Sequence, residues 1–194
     1  VMAAYVLKAD RFKPYIQHFK LFAVDIKRFV SIFKIGAPVA MQYVFEMGAF
    51  AAASIIAGKI GAVQQAAHQV AITLAAMTYM MASGIASAAT IKTGHNFGRL
   101  NFLRLQQFAK VSYHIVIFFM IICALTFALL NHQLPYIITE DPAVVIIAAQ
   151  LLIIAGLFQL FDGTQVVGLG ILRGMGDANI PTLITFFAYW VGGI

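Results

Sequence analysis

AVVIIAAQLLIIAGLFQLFDGTQVVGLGIL, residues 143–172, runs for thirty residues with a single charged side chain, Asp162. About 20 apolar residues cross the hydrocarbon core as a helix, so this stretch reads as a membrane span. It exceeds the minimum by about ten residues, a surplus that tilt or projection absorbs. Residues 35–58, IGAPVAMQYVFEMGAFAAASIIAG, repeat the pattern around another lone acid, Glu46. An ionisable group at bilayer depth is costly and marks a functional site by default.

The rest of the chain fits a membrane solvent. Of its 194 residues, 62% are hydrophobic and only 10% charged, with a mean hydropathy of +0.90, whereas a soluble domain carries roughly 25% charged residues. The expected fold class is therefore an all-α membrane protein, a polytopic transmembrane helix bundle, with the lipid bilayer as its first partner. The net charge of +6 does not indicate nucleic acid, because the basic residues cluster in alternate connections between apolar runs. The one cysteine, Cys123 in IICALTF, excludes an internal disulfide and reads as a small packing residue.

Four spans are expected at about 35–58, 66–91, 111–130 and 143–172, with a fifth starting near Ile180, where Pro181 suits a first helical turn. Gly36 and Pro38 open the first span. Tyr136, Tyr189 and Trp190 are candidates for interfacial belts. Both termini read as cut: VMAAYVL resembles the last turns of a preceding membrane helix, and Ile194 falls inside the fifth apolar segment. Between them, residues 8–34 carry Lys13, Lys20, Lys27 and Lys34 at intervals of seven, with Phe12, Tyr15, Ile16, Phe19, Phe29 and Phe33 at helical spacing. That pattern describes a basic amphipathic helix in the membrane interface; Asp25 is placed to cap the next helix. The chain thus divides into residues 1–34, a helix end plus linker, and 35–194, the bundle.

Basic residues set the orientation. Arg11 through Lys34 precede the first span, Lys92, Arg99, Arg104 and Lys110 follow the second, and Arg173 follows the fourth; the opposite connections hold only Lys59, with Glu140 and Asp141. By the positive-inside rule the 92–110 connection is cytoplasmic, and 59–65 and 131–142 are external. Glu46 then lies twelve residues beyond Lys34, about 18 Å along its helix, and Asp162 lies eleven residues before Arg173, about 16 Å along its own. Two oppositely directed helices bring their acids to one depth near the midplane. One shared site follows.

Helical spacing places Gln42, Tyr43, Ala49, Phe50 and Ala53 with Glu46, and Phe158, Gln159, Gln165 and Leu169 with Asp162. Gln159, Asp162 and Gln165 are expected to form a polar stripe. Oxygen donors of this kind suit a hard monovalent cation or a proton. His68, near the external end of the second span, is a candidate gate or relay and otherwise an interfacial hydrogen-bonding side chain. Tyr79, Ser83 and Ser87 extend a weakly polar stripe on that helix, while Met77, Met80 and Met81 line a cavity or fill core. Pro38, Gly48 and Gly163 are candidate bending points. No HExxH, CxxC or P-loop occurs, and GLGILRG at 168–174 lies in a span rather than after a strand. No nucleophile stands with a base, so the chain is not expected to be an enzyme and no cofactor is expected beyond a coupling ion. No selectivity-filter loop suggests a channel.

Four stretches, IGAPVAMQYVFEMGAF, GKIGAVQQAAHQVA, SGIASAATIKTGHNFGR and LFQLFDGTQVVGLGILRGMGDANIPTLI, resemble the multidrug and toxic compound extrusion (MATE) transporters of the NorM type. The LRGMGD element after a span carrying FDGTQ is the most specific of these. The resemblance implies twelve helices in two six-helix lobes related by an axis along the membrane normal. This chain would then be the inter-lobe linker and most of the C-terminal lobe, with the N-terminal lobe as its missing partner. Glu46 and Asp162 match the acids the family uses for cation coupling, with sodium and the proton both open. Some members carry Tyr four residues before the second acid, where this chain has Phe158. The implied function is cation-coupled export of amphipathic, often cationic, drug-like compounds from a multi-pass position in the plasma membrane, the inner membrane in a Gram-negative cell. The alternative is a flippase for a lipid-linked precursor, which needs basic residues in its cavity.

Overall fold

The computed structural model describes residues 25–191. Five helices follow in order: α1 (Ile26–Ile60), α2 (Ala62–Gly98), α3 (Phe102–Leu129), α4 (Pro142–Gly174) and α5 (Asn179–Trp190), with a 3₁₀ turn at Leu134–Ile137. The first four are long and apolar enough to cross a bilayer. The chain divides into two compact units, Val1–Lys34 and Ile35–Ile194. Within the first, residues 25–34 are exposed and helical from Ile26; the expected interfacial helix over 8–24 lies outside the described residues.

The helices outrun the apolar stretches that announced them. α1 does not open at Gly36 and Pro38 but at Ile26, where the Asp25 carboxylate accepts from the Lys27 and Arg28 amides at 3.0 and 3.4 Å. Pro38 sits inside the helix and removes one backbone donor without ending it. α3 begins at Phe102, nine residues ahead of its apolar run, capped by Asn101, whose side chain accepts from the Arg104 amide at 3.1 Å. The 92–110 connection is accordingly helical except for a short turn at 99–101. Apolarity marks what touches hydrocarbon, whereas backbone hydrogen bonding continues past it wherever a cap is available.

The second unit is built on α2, α3 and α4, which enclose two apolar cores. Ala67, Val70, Ala71 and Leu74 of α2 meet Phe127 of α3 and Val144, Ala148 and Leu152 of α4. Ala82, Ala86 and Ala89 meet Val116 and Met120 of α3 and Val166, Val167 and Ile171 of α4. Small residues allow this approach, as packing between helices in lipid requires. A Cβ at Gly170 would stand 2.7 Å from the Ala86 carbonyl oxygen, and one at Gly163 would meet the Met120 side chain at 2.6 Å. Gly163 and Gly48 therefore make room for neighbours inside unbroken helices; a Cβ at Gly48 would lie 3.0 Å from the Trp190 ring.

The LRGMGD element ends α4. Gly176 takes φ 85°, the left-handed region open to glycine. The Asp177 amide then bonds the Leu172 carbonyl at 3.0 Å and the Gly176 amide the Arg173 carbonyl at 3.0 Å, a Schellman closure. This turn returns the chain so that α5 lies along α1. Thr182 donates to the Pro38 carbonyl at 3.0 Å, the Trp190 indole N–H donates to the Phe45 carbonyl at 3.1 Å, and the Phe45 and Phe186 rings meet edge-on at 4.9 Å.

Candidate functional site

Between the two apolar cores the helices carry polar residues instead. Gln159 is 2% exposed, Asp162 8% and Glu46 7%. A cavity of about 430 Å³ opens at this level, and Glu46 of α1, His68 and Tyr79 of α2, and Phe158, Gln159 and Asp162 of α4 all line it. Met47, Phe50, Ile72, Leu151 and Ile154 complete a wall that is otherwise apolar. The two acids expected to share a site thus open into one space from separate helices. Burial of an ionised carboxylate requires compensating partners, and the hydroxyl of Tyr79 stands beside the Glu46 carboxylate.

Neutral oxygen and nitrogen groups surround the pair. The Thr78 hydroxyl hydrogen-bonds the Gln159 side-chain oxygen, tying α2 to α4 between the cores. Gln159 Nε2 and His68 Nε2 are buried without a hydrogen-bond partner. Phe158 offers a ring where a hydroxyl would be a ligand, and packs edge-on with Phe50 at 6.2 Å. Carboxylates with amide and phenol oxygens are the donors a hard monovalent cation takes, and the same carboxylates accept protons. Among the described residues no three His, Cys, Asp or Glu side chains gather.

Three expected site residues lie elsewhere. Gln42, 1% exposed, faces the α4–α5 turn rather than the cavity: it accepts from Arg173 Nη2 at 2.7 Å and donates to the Ala178 carbonyl at 3.4 Å. Tyr43 lies under the same guanidinium, 5.3 Å from its ring centroid, and accepts from Nη1 at 3.4 Å. Gln165 is exposed and turns toward the Tyr189 hydroxyl. Three residues advance a helix by 300°, so Gln159, Asp162 and Gln165 fan across about 120° of α4 rather than forming one line.

Other residues gained a place the sequence did not give them. Tyr189 and Trp190, expected as belt residues, pack against α1 beside the acid: Trp190 bonds the residue before Glu46, and the Tyr189 ring stands 6.4 Å from Phe50. Counting from the Asn179 end of α5, about 16 Å of rise carries them to the depth of the acids. Met77, Met80 and Met81 lie outside the lining of this cavity, each at least 60% exposed. Thr78 had one available signal, its position one turn beyond Leu74 on the buried stripe of α2.

A protein-family model, MatE, matches residues 38–194. A probable multidrug resistance protein NorM of Agrobacterium fabrum (strain C58) is 33% identical over 202 residues, covering 100% of this chain and 43% of the relative. The protein of the same name in Xanthomonas axonopodis pv. citri is 33% identical over 198 residues, covering 100% and 42%. That of Xylella fastidiosa (strain Temecula1) is 32% identical over 194 residues, covering 98% and 40%. The chain spans less than half the length of these curated relatives. Its four membrane-length helices make it a polytopic membrane protein, and the chain belongs to the MatE family.

Proposed function

We propose that the complete protein is a cation-coupled multidrug antiporter of the plasma membrane, exporting amphipathic, often cationic, organic compounds. The observation that carries this reading is that Glu46 and Asp162 open into one largely apolar cavity. The words multidrug resistance in the names of similar proteins support this substrate class. A cavity of about 430 Å³ is within the usual range for drug-sized ligands, and Met47, Phe50 and Phe158 offer adaptable and aromatic contact.

The coupling follows from electrostatics. Two buried carboxylates in one low-dielectric space repel each other, and a sodium ion or proton between them relieves that repulsion. An ion shifts a conformational equilibrium only by its differential affinity for the two states. A cavity wall made by α1 on one side and by α2 and α4 on the other gives such a difference, because any movement of α1 relative to α4 changes the separation of the acids. The lining has no Lys or Arg, so the phosphate ligands a lipid-precursor flippase needs are not among these residues.

The test is drug efflux by the complete protein in sealed vesicles, with sodium and pH gradients imposed separately. Efflux driven by one of the two gradients is expected. Efflux indifferent to both contradicts the proposal.

A further inference from the structure

One helical turn from Glu46, outside the cavity wall, a cation is held in place. Arg173 lies at the end of α4, and its guanidinium is fixed by two residues of α1: Nη2 donates to Gln42 Oε1 at 2.7 Å, and the group lies over the Tyr43 ring at 5.3 Å. Gln42 is itself anchored, buried to 1% exposure with its amide donating to the Ala178 carbonyl. Arg173 Nε is buried and has no hydrogen-bond partner. Among the described residues, neither Glu46 nor any other carboxylate makes an ion pair with this arginine, and the only salt bridge is between Arg28 and Asp25. A positive charge is thus held about one helical turn from Glu46 and bound to neutral groups.

The geometry points to Arg173 as a positioning residue that sets how tightly the acid pair holds its ion, by presenting a fixed positive charge beneath Glu46. This rests on the reading of Glu46 and Asp162 as the cation site. A monovalent cation entering between the acids is repelled by the guanidinium, so the site is weaker than the two carboxylates alone would make it. A coupling site that must release its ion in every cycle requires such moderation, since binding that is too tight in both states shifts nothing. The charged and titratable groups around Glu46 are His68 and Tyr79 on α2, Asp162 and Arg173 on α4, and Tyr189 on α5, with Tyr43 of α1 beneath the guanidinium; Arg173 is the one permanent cation of the set. One turn of helix plus a hydrogen bond separates the charges by roughly 8–10 Å, and unit charges at that distance in an effective dielectric of about 20 change an equilibrium about tenfold or somewhat more.

The experiment is the midpoint for the coupling ion in drug efflux by the complete protein, read in sodium at fixed alkaline pH and in proton concentration at fixed sodium, for wild type, R173Q and R173K. Arg173→Gln is expected to lower the midpoint about tenfold, and Arg173→Lys, which keeps the charge but not the fork, to leave it near wild type. An R173Q midpoint equal to wild type, or an R173K shift as large as that of R173Q, overturns the inference and leaves the cation-site reading standing. A wild type with no midpoint in either ion overturns both. If R173Q does not survive purification, Gln42→Ala serves: freeing the guanidinium from its tether is expected to lower the midpoint in the same direction, and no change contradicts the proposal.

Discussion

The indole N–H of Trp190 donates to the backbone carbonyl of Phe45 at 3.1 Å, fastening the end of α5 to the residue beside Glu46. The same ring lies against Gly48, where an added Cβ would come to 3.0 Å. Position on α1, and hence the place of its acid, is held by a side chain 144 residues away from that acid in sequence.

Trp190→Phe keeps an aromatic ring, removes the hydrogen bond and truncates the edge of the indole that lies against Gly48. A net loss of about 0.5–1.5 kcal/mol in stability is expected. Thermal unfolding of the detergent-purified complete protein measures it, and Gly48→Ala combined with Trp190→Phe should cost less than the sum of the two, because both act on one contact.

Two glycines separate packing from helix propensity. Gly170→Ala drives a Cβ to 2.7 Å from the Ala86 carbonyl oxygen and 3.0 Å from the Thr90 hydroxyl oxygen, and backbone does not yield as a side-chain tip does, so a loss of about 1–3 kcal/mol is expected. Gly84→Ala meets nothing within 4 Å and should be neutral or stabilising by up to about 1 kcal/mol. A Gly170→Ala protein as stable as wild type would show that α2 and α4 do not cross as closely as described.

Leu100 closes α2 with φ 55°, a conformation that costs a non-glycine residue about 1 kcal/mol or more, while the Asn101 amide reaches back to the Asn96 carbonyl at 3.0 Å. Its side chain is 74% exposed, so no packing is lost on truncation. Leu100→Gly is expected to raise the melting temperature, read in the same unfolding assay.

Thr78→Val removes the hydroxyl that meets Gln159 and leaves a buried amide short of a partner, at a cost of about 1–3 kcal/mol. Thr78→Ser keeps the hydroxyl and should recover most of the loss. A Thr78→Val protein as stable as wild type, or one no less stable than Thr78→Ser, would contradict a role for the hydroxyl.

Among the described residues, apolar runs located all four membrane-length helices, because hydrocarbon demands them, and lone acids inside those runs located Glu46, Asp162 and the helices that bring them together. Helix limits were less legible: Asp25, Asn101 and Asp141 cap their helices through the side chain, so the polar flanks 26–34 and 102–110 joined helices that composition alone had ended. The faces were legible only where one helix sufficed. Gln42 and Gln165 have the same chemistry as Gln159 and a similar spacing from an acid, yet Arg173 claims the first and exposure the second. Tyr189 and Trp190 look like belt residues by type, but the Gly176 turn and the short α5 carry them to the level of Glu46 on α1. Tertiary partners decided each of these, and no local pattern contains them.

The most direct measurement is ion-gradient-driven drug efflux by the complete protein in vesicles carrying Glu46→Gln, Asp162→Asn or neither, at matched amounts of folded protein. The account predicts that either neutralised acid abolishes gradient-driven efflux while drug binding and thermal stability remain near wild type. Gradient-driven efflux at the wild-type rate in both variants would contradict it.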